Sequence, residues 1–157
     1  MNKTISALVL PALFIGAWIL TFLGATPPGA LASDSLNARA IHWMLYFSGY
    51  AFGASSVMHS IFAKKMAQSI GWVTNGFQNE IASVCLGLSI GCFYALQHGR
   101  DTQIAISLPV ITFLFFAGIN HAKEMIINKN LAPNNTFILI WDFGISISLA
   151  ALLLTLP

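Results

Sequence analysis

Apolar residues run along this chain in five stretches, roughly 5–24, 40–62, 78–97, 103–125 and 136–156, with short polar segments between them. Each stretch holds about 20 residues, which as a helix rising 1.5 Å per residue matches a hydrocarbon layer about 30 Å thick. No run shows the strict alternation of a half-buried strand. The pattern predicts an all-α fold, an integral membrane bundle of five transmembrane helices in a single membrane domain spanning residues 1–157. The intervening segments carry breaker chemistry. Ala25–Ala38 contains Pro27-Pro28-Gly29 and Ser33-Asp34-Ser35, Gln97–Asp101 is a short polar turn, and Asn128–Asn135 is rich in asparagine.

The first stretch resembles a signal peptide, with Lys3 as a positive start and Ala30-Leu31-Ala32 imitating a cleavage site. Its apolar run of about 20 residues exceeds the 7–15 of a signal core, so a transmembrane helix is expected instead.

Composition agrees with the periodicity. The 157 residues are 57% hydrophobic and only 8% charged, against about 25% charged in a soluble domain. A net charge of +2, without basic runs interleaved with aromatics, excludes nucleic acid as an expected partner and leaves the lipid bilayer. Cys85 and Cys92 share one predicted helix with their Cα atoms roughly 10 Å apart, too far to bridge each other, and read as small apolar packing residues.

Basic residues set the orientation. Lys3, Lys64, Lys65, Lys123 and Lys129 fall on the N-terminal side of the threading, five against Arg39 and Arg100 on the other. The positive-inside bias then places the N-terminus in the cytoplasm and the C-terminus outside. The Ala63–Gly76 linker, with Lys64, Lys65 and Trp72, is expected to lie on the membrane surface among anionic headgroups. Trp18 and Trp43 read as belt or packing residues, and His42 and His98 as interfacial on the far side. Gly49 and Gly53, and the stripe Ser83, Gly87 and Gly91, are small-residue seams of the kind that let membrane helices approach closely. They predict contact between the second and third stretches, or a homo-oligomer through these helices.

Candidate chemistry gathers at one end. His59 closes the second stretch, Gln78 and Glu80 open the third, Asn120, His121 and Glu124 close the fourth, and Asn135 and Asp142 lie at the start of the fifth. Up–down threading brings all eight to one membrane face, and ionisable groups there cost several kcal/mol unless paired, which makes the cluster a functional-site hypothesis. His121 and Glu124, three apart, share a helix face. Glu80 at a helix start is also explained by the helix dipole. Asp142, flanked by Ile140-Trp141 and Phe143, must be protonated or paired across the bundle. His59, Glu80, His121 and Glu124 are the candidate ligands of a divalent metal. No H-E-x-x-H, nucleophile elbow or P-loop accompanies them.

The run Ile70-Gly71-Trp72 through Phe77-Gln78-Asn79-Glu80, with His59, Asn120-His121, Ala132-Pro133-Asn134-Asn135 and Asp142, resembles the I-G-W…F-Q-x-E signature of a family of small bacterial polytopic membrane proteins of unknown function. Asn134 stands where that pattern has glycine. The resemblance covers about residues 55–145 and implies the polytopic fold and a bacterial plasma membrane, without an activity. Three readings of the cluster stay open: binding or passage of a small ion or polar molecule, a metal-dependent membrane enzyme acting on a lipid or quinone, and a structural network that fixes helix order.

Overall fold

The computed structural model describes residues 3–155, with the Lys3 side chain outside the described part. The described chain is helical throughout its ordered elements: α1 (Lys3–Ala7), α2 (Val9–Phe22), α3 (Leu36–Ser60), α4 (Ala63–Ile70), α5 (Phe77–Leu96), α6 (Arg100–Ile127), α7 (Pro133–Thr136) and α8 (Ile138–Leu154). Local signals set the boundaries. The Ser35 hydroxyl accepts from the Ala38 amide at the start of α3. Gly71 ends α4 in the left-handed region, at φ +79°, where a side chain would be strained. Pro133 occupies the first turn of α7, where its missing N–H costs nothing.

The long helices alternate in direction. At one end, called the amino-terminal end below, Asn134 reaches Ser6, Gln78 reaches the carbonyl of Ala63 and Asn130 reaches that of Ile70. At the opposite end the Leu31 amide donates to the Leu96 carbonyl, Asn37 donates to Thr155, and Gln103 meets His42. Lys64, Lys65, Lys123 and Lys129 thus share the amino-terminal end, and Arg39 and Arg100 the other.

Four segments among the described residues are long and apolar enough to cross a membrane: Thr4–Phe22, Phe77–Leu96, Arg100–Ile127 and Pro133–Leu154. The second expected span, α3, falls short of that apolarity. Its 25 residues include Asn37, Arg39, His42, Ser48, Ser55, Ser56 and His59. The reason is position. α3 packs most extensively on α5 and also on α2 and α8, and Ala40 through Leu45 are six consecutive buried residues. A helix that buries much of its surface against protein needs less lipid-compatible surface, although Tyr50 and Val57 of α3 remain exposed. The outward faces of its neighbours need more, and they carry Ile15 and Ile19 on α2, Ile90 on α5, Phe116 on α6 and Ile147 on α8. Some hydroxyls within these helices bond back to their own turn, as Thr21 does to Ala17 and Ser146 to Asp142, which spares them a lone exposure to hydrocarbon.

The glycine seams divide. A Cβ on Gly49 would lie 2.8–3.0 Å from the Phe93 ring, and one on Gly53 3.1 Å from the Ser89 hydroxyl. Ser89 donates to the Gly49 carbonyl at 2.7 Å, so this pair joins α3 to α5 inside the chain. The Ser83–Gly87–Gly91 stripe does not face α3 as expected. Ser83 and Gly87 are exposed, nothing lies within 4 Å of a Cβ at Gly87, and Gly91 packs on Ile106 of α6. Ser89 and Phe93, on the other face of α5, make the contact assigned to the glycines. Cys85 and Cys92 are buried and free.

Candidate functional site

The amino-terminal end carries a network built on amides. Asn135, with no exposed surface, sits at the α7 turn, where Pro133 starts a single helical turn before α8. Its Nδ2 donates to the carbonyls of Asn130 at 3.0 Å and His121 at 3.3 Å. Its Oδ1 lies 2.8 Å from His121 Nδ1. Since Nδ2 is taken by two carbonyls, Oδ1 is the acceptor, and Nδ1 of His121 carries the hydrogen. A neutral His121 then keeps its lone pair on Nε2. The other face of the cluster is closed by Trp72, whose indole stacks on the His121 ring with centroids 5.4 Å apart and planes 18° apart. Trp72 is held there by the turn after α4. Asn130 donates to the Ile70 carbonyl at 2.8 Å, and its amide lies where a Cβ on Gly71 would be, 2.6–3.0 Å away.

His59 and Gln78 form a second, looser pair. Gln78 Nε2 donates to the Ala63 carbonyl at 3.0 Å and lies 3.5 Å from His59 Nδ1. With His59 on α3, Gln78 on α5, His121 on α6 and Asn135 on α7, four elements contribute to this end of the bundle.

The carboxylates behave differently from one another. Glu80 is exposed in the first turn of α5, the placement that the helix dipole alone explains. Glu124 is half-buried and accepts from Asn128 at 2.8 Å. Asp142 is 2% exposed, deeper than the rest. Its Cβ stands 3.1 Å from where a Cβ on Gly118 would be, and Gly118 is one turn inward from His121 on α6. The bond expected to Asn120, His121, Asn135 or His59 is not made. Oδ2 is buried without a hydrogen-bond partner, because Asn135 is already saturated and Asn120 points to the exposed side. Among the described residues no three His, Cys, Asp or Glu side chains converge on a metal-sized site, so His59, Glu80, His121 and Glu124 do not form one ligand set.

Above the network lies a shallow open groove of about 380 Å³, lined by Gly71, Trp72, Val73, Asn75, Asn120 and Glu124. Among the described residues, Trp72 Nε1, on a residue that lines the groove, and Gln78 Oε1, elsewhere in the cluster, are buried without partners.

Sequence reasoning missed Trp72 and Asn130 as members of the cluster. Trp72 reads as a membrane anchor, and its contact with His121 joins residues far apart in the chain. Asn130 looks like any loop asparagine beside Lys129. His42 was expected at an interface and is buried instead, 2% exposed. Its Nε2 lies 2.9 Å from Gln103 Nε2, which also donates to the His98 carbonyl. A glutamine in the first turn of an apolar helix was the only available signal. Trp43 is likewise a packing residue, its indole donating to the Ala25 carbonyl at 2.8 Å.

The chain belongs to a family of unknown function, DUF6790, matched over residues 4–156. No curated protein and no solved structure matches it.

Proposed function

We propose that this DUF6790 chain is a five-crossing protein of the bacterial plasma membrane that binds a small ion or polar molecule at its amino-terminal end, with a cation as the best fit. α3 supplies the fifth crossing. Its 25 residues extend about 37 Å at 1.5 Å per residue, and its two ends lie at opposite ends of the bundle. The lysines at the amino-terminal end then face the cytoplasm. Fusions reporting location at residue 100 and at the C-terminus are expected to score as external, and a cytoplasmic C-terminus would refute the threading.

The observation that carries the binding reading is the groove at Trp72, Asn120 and Glu124. A carboxylate, an amide and an indole meet there at a surface open to water. A carboxylate supplies charge, an amide supplies a neutral oxygen, and an indole face attracts cations. The tested probes are sodium, potassium, ammonium and tetramethylammonium chlorides, titrated into detergent-purified protein with tryptophan fluorescence as the signal. A saturable change that is lost in both Trp72→Phe and Glu124→Gln is expected. A featureless titration, or one unaltered by these substitutions, contradicts the reading.

The fully bonded members support a second role for part of the same cluster. Asn130, Asn135 and the His121 Nδ1 edge have their bonds made within the chain, which suits a lock on helix order. The lock holds the groove's wall in place, and the two roles coexist.

A further inference from the structure

We propose that Asp142 is a proton-binding site inside the membrane, the inner station for a cation that enters at the amino-terminal end. Only the route of entry rests on the cation reading of the groove; the occupancy of Asp142 stands on its own surroundings.

Those surroundings offer no other way to balance the group. Asp142 is 2% exposed and Oδ2 has no hydrogen-bond partner. The elements packed against α8 are α2, α3, α6 and α7. α2 and α7 carry no titratable side chain. α3 brings His59 at the amino-terminal end, with His42, Arg39, Tyr46 and Tyr50 toward the other. α6 brings His121, Lys123 and Glu124 one turn or more outward from Gly118, and Arg100 and Asp101 at the far end. None of these supplies a partner to Oδ2. An ionised carboxylate left unpaired in an apolar interior costs several kcal/mol, which selects a bound cation.

The geometry selects which cation. Metal ions with oxygen ligands need about six or more of them. Asp142 is flanked in the helix by the apolar Trp141 and Phe143, its Cβ packs on the bare backbone of Gly118, and the Ser146 hydroxyl is spent on the Asp142 carbonyl at 2.6 Å. A proton needs one oxygen. It converts the unpaired acceptor into a neutral carboxylic acid without any further ligand. Gly118 fits the same account, because a Cβ there would press on both the Asp142 Cβ and the Phe143 ring at 3.0–3.1 Å, and its absence admits the carboxyl between α6 and α8.

Two measurements on the whole protein in detergent test this. The chain has five carboxyl side chains, and Asp34, Glu80 and Asp101 are exposed while Glu124 is half-buried with a donor. Infrared spectroscopy at neutral pH is expected to show one protonated carboxylic C=O band that disappears in Asp142→Asn. Dicyclohexylcarbodiimide, which takes the acid's proton on nitrogen, accepts its oxygen on carbon and rearranges to a stable acylurea, is expected to modify Asp142. The wild-type readings do not depend on the variant folding. Absence of the protonated band, or an Asp142 peptide free of reagent, overturns the proposal. Neither readout involves the groove, so loss of the fluorescence response alone would reject the groove reading and leave this one standing.

Discussion

Asn135 and Asp142 stand seven residues apart, both buried polar side chains at the head of the last crossing, and they meet opposite fates. Asn135 makes three hydrogen bonds to the chain around it, while Asp142 leaves Oδ2 unpaired. The difference comes from what each can reach. Asn135 sits at a helix turn, within reach of the carbonyls of Asn130 and His121 and of the His121 ring. Asp142 lies within a continuous helix whose own amide N–H groups are occupied, against a glycine with no side chain to offer. At these two positions, buried polarity at the turn holds the fold, and the carboxyl in mid-helix is left without a partner.

The comparison predicts a graded series. Asn135→Ala carries the largest effect, because it strands the Nδ1 hydrogen of His121 and removes the donor to the carbonyls of Asn130 and His121, a buried group left unpaired costing about 1–3 kcal/mol. Thermal unfolding in detergent is expected to show a loss of about 3 kcal/mol or more; a loss below about 1 kcal/mol would mean that the network contributes nothing. Next comes Gly71→Ala. It would force a side chain into a left-handed turn and against the Asn130 amide, at a cost of about 1–3 kcal/mol. Restored stability in Gly71→Ala combined with Asn130→Gly would assign much of that cost to the contact itself. Gly91→Leu, which must displace Ile106, is expected to lower the melting temperature where Gly87→Leu leaves it unchanged, separating the packed from the open part of the α5 stripe. Glu80→Gln is expected to be silent by the same assay, since the side chain is exposed and bonds to nothing among the described residues; a clear loss would place Glu80 in the network after all.

Much of the architecture was legible in the sequence, and for a physical reason. Span length and the positions of Pro27-Pro28-Gly29, Gly71 and Pro133 are fixed by local chemistry, and the helices begin and end near them. The convergence of His59, Gln78, His121 and Asn135 followed from alternate threading alone. Less legible was anything set by side-chain direction. Gly87 and Gly91 are one turn apart on a small-residue stripe, yet only Gly91 meets another helix, because the crossing of α5 with α6 decides which turn is covered. α3 was expected as a span like the others and buries much of its surface against α5, α2 and α8, which explains why it tolerates His42 and six serines and glycines from Ser48 to Ser60. Trp72 was invisible as a cluster member because stacking on His121 depends on how the α4 turn folds back. Glu80 was drawn into the cluster by depth, and depth says nothing about which way a carboxylate points.

The division between a bonded lock and an unbonded carboxyl is tested most directly by exchanging amide and acid at the two positions. Asn135→Asp and Asp142→Asn each preserve shape while reversing the chemistry, and equilibrium unfolding in one detergent compares them. Asn135→Asp removes the donor to two carbonyls and sets a carboxylate oxygen against them, so a loss of several kcal/mol is expected. Asp142→Asn breaks no bond at Oδ2, and a change within about 1 kcal/mol is expected. Equal losses, or a larger loss at Asp142, would contradict the account.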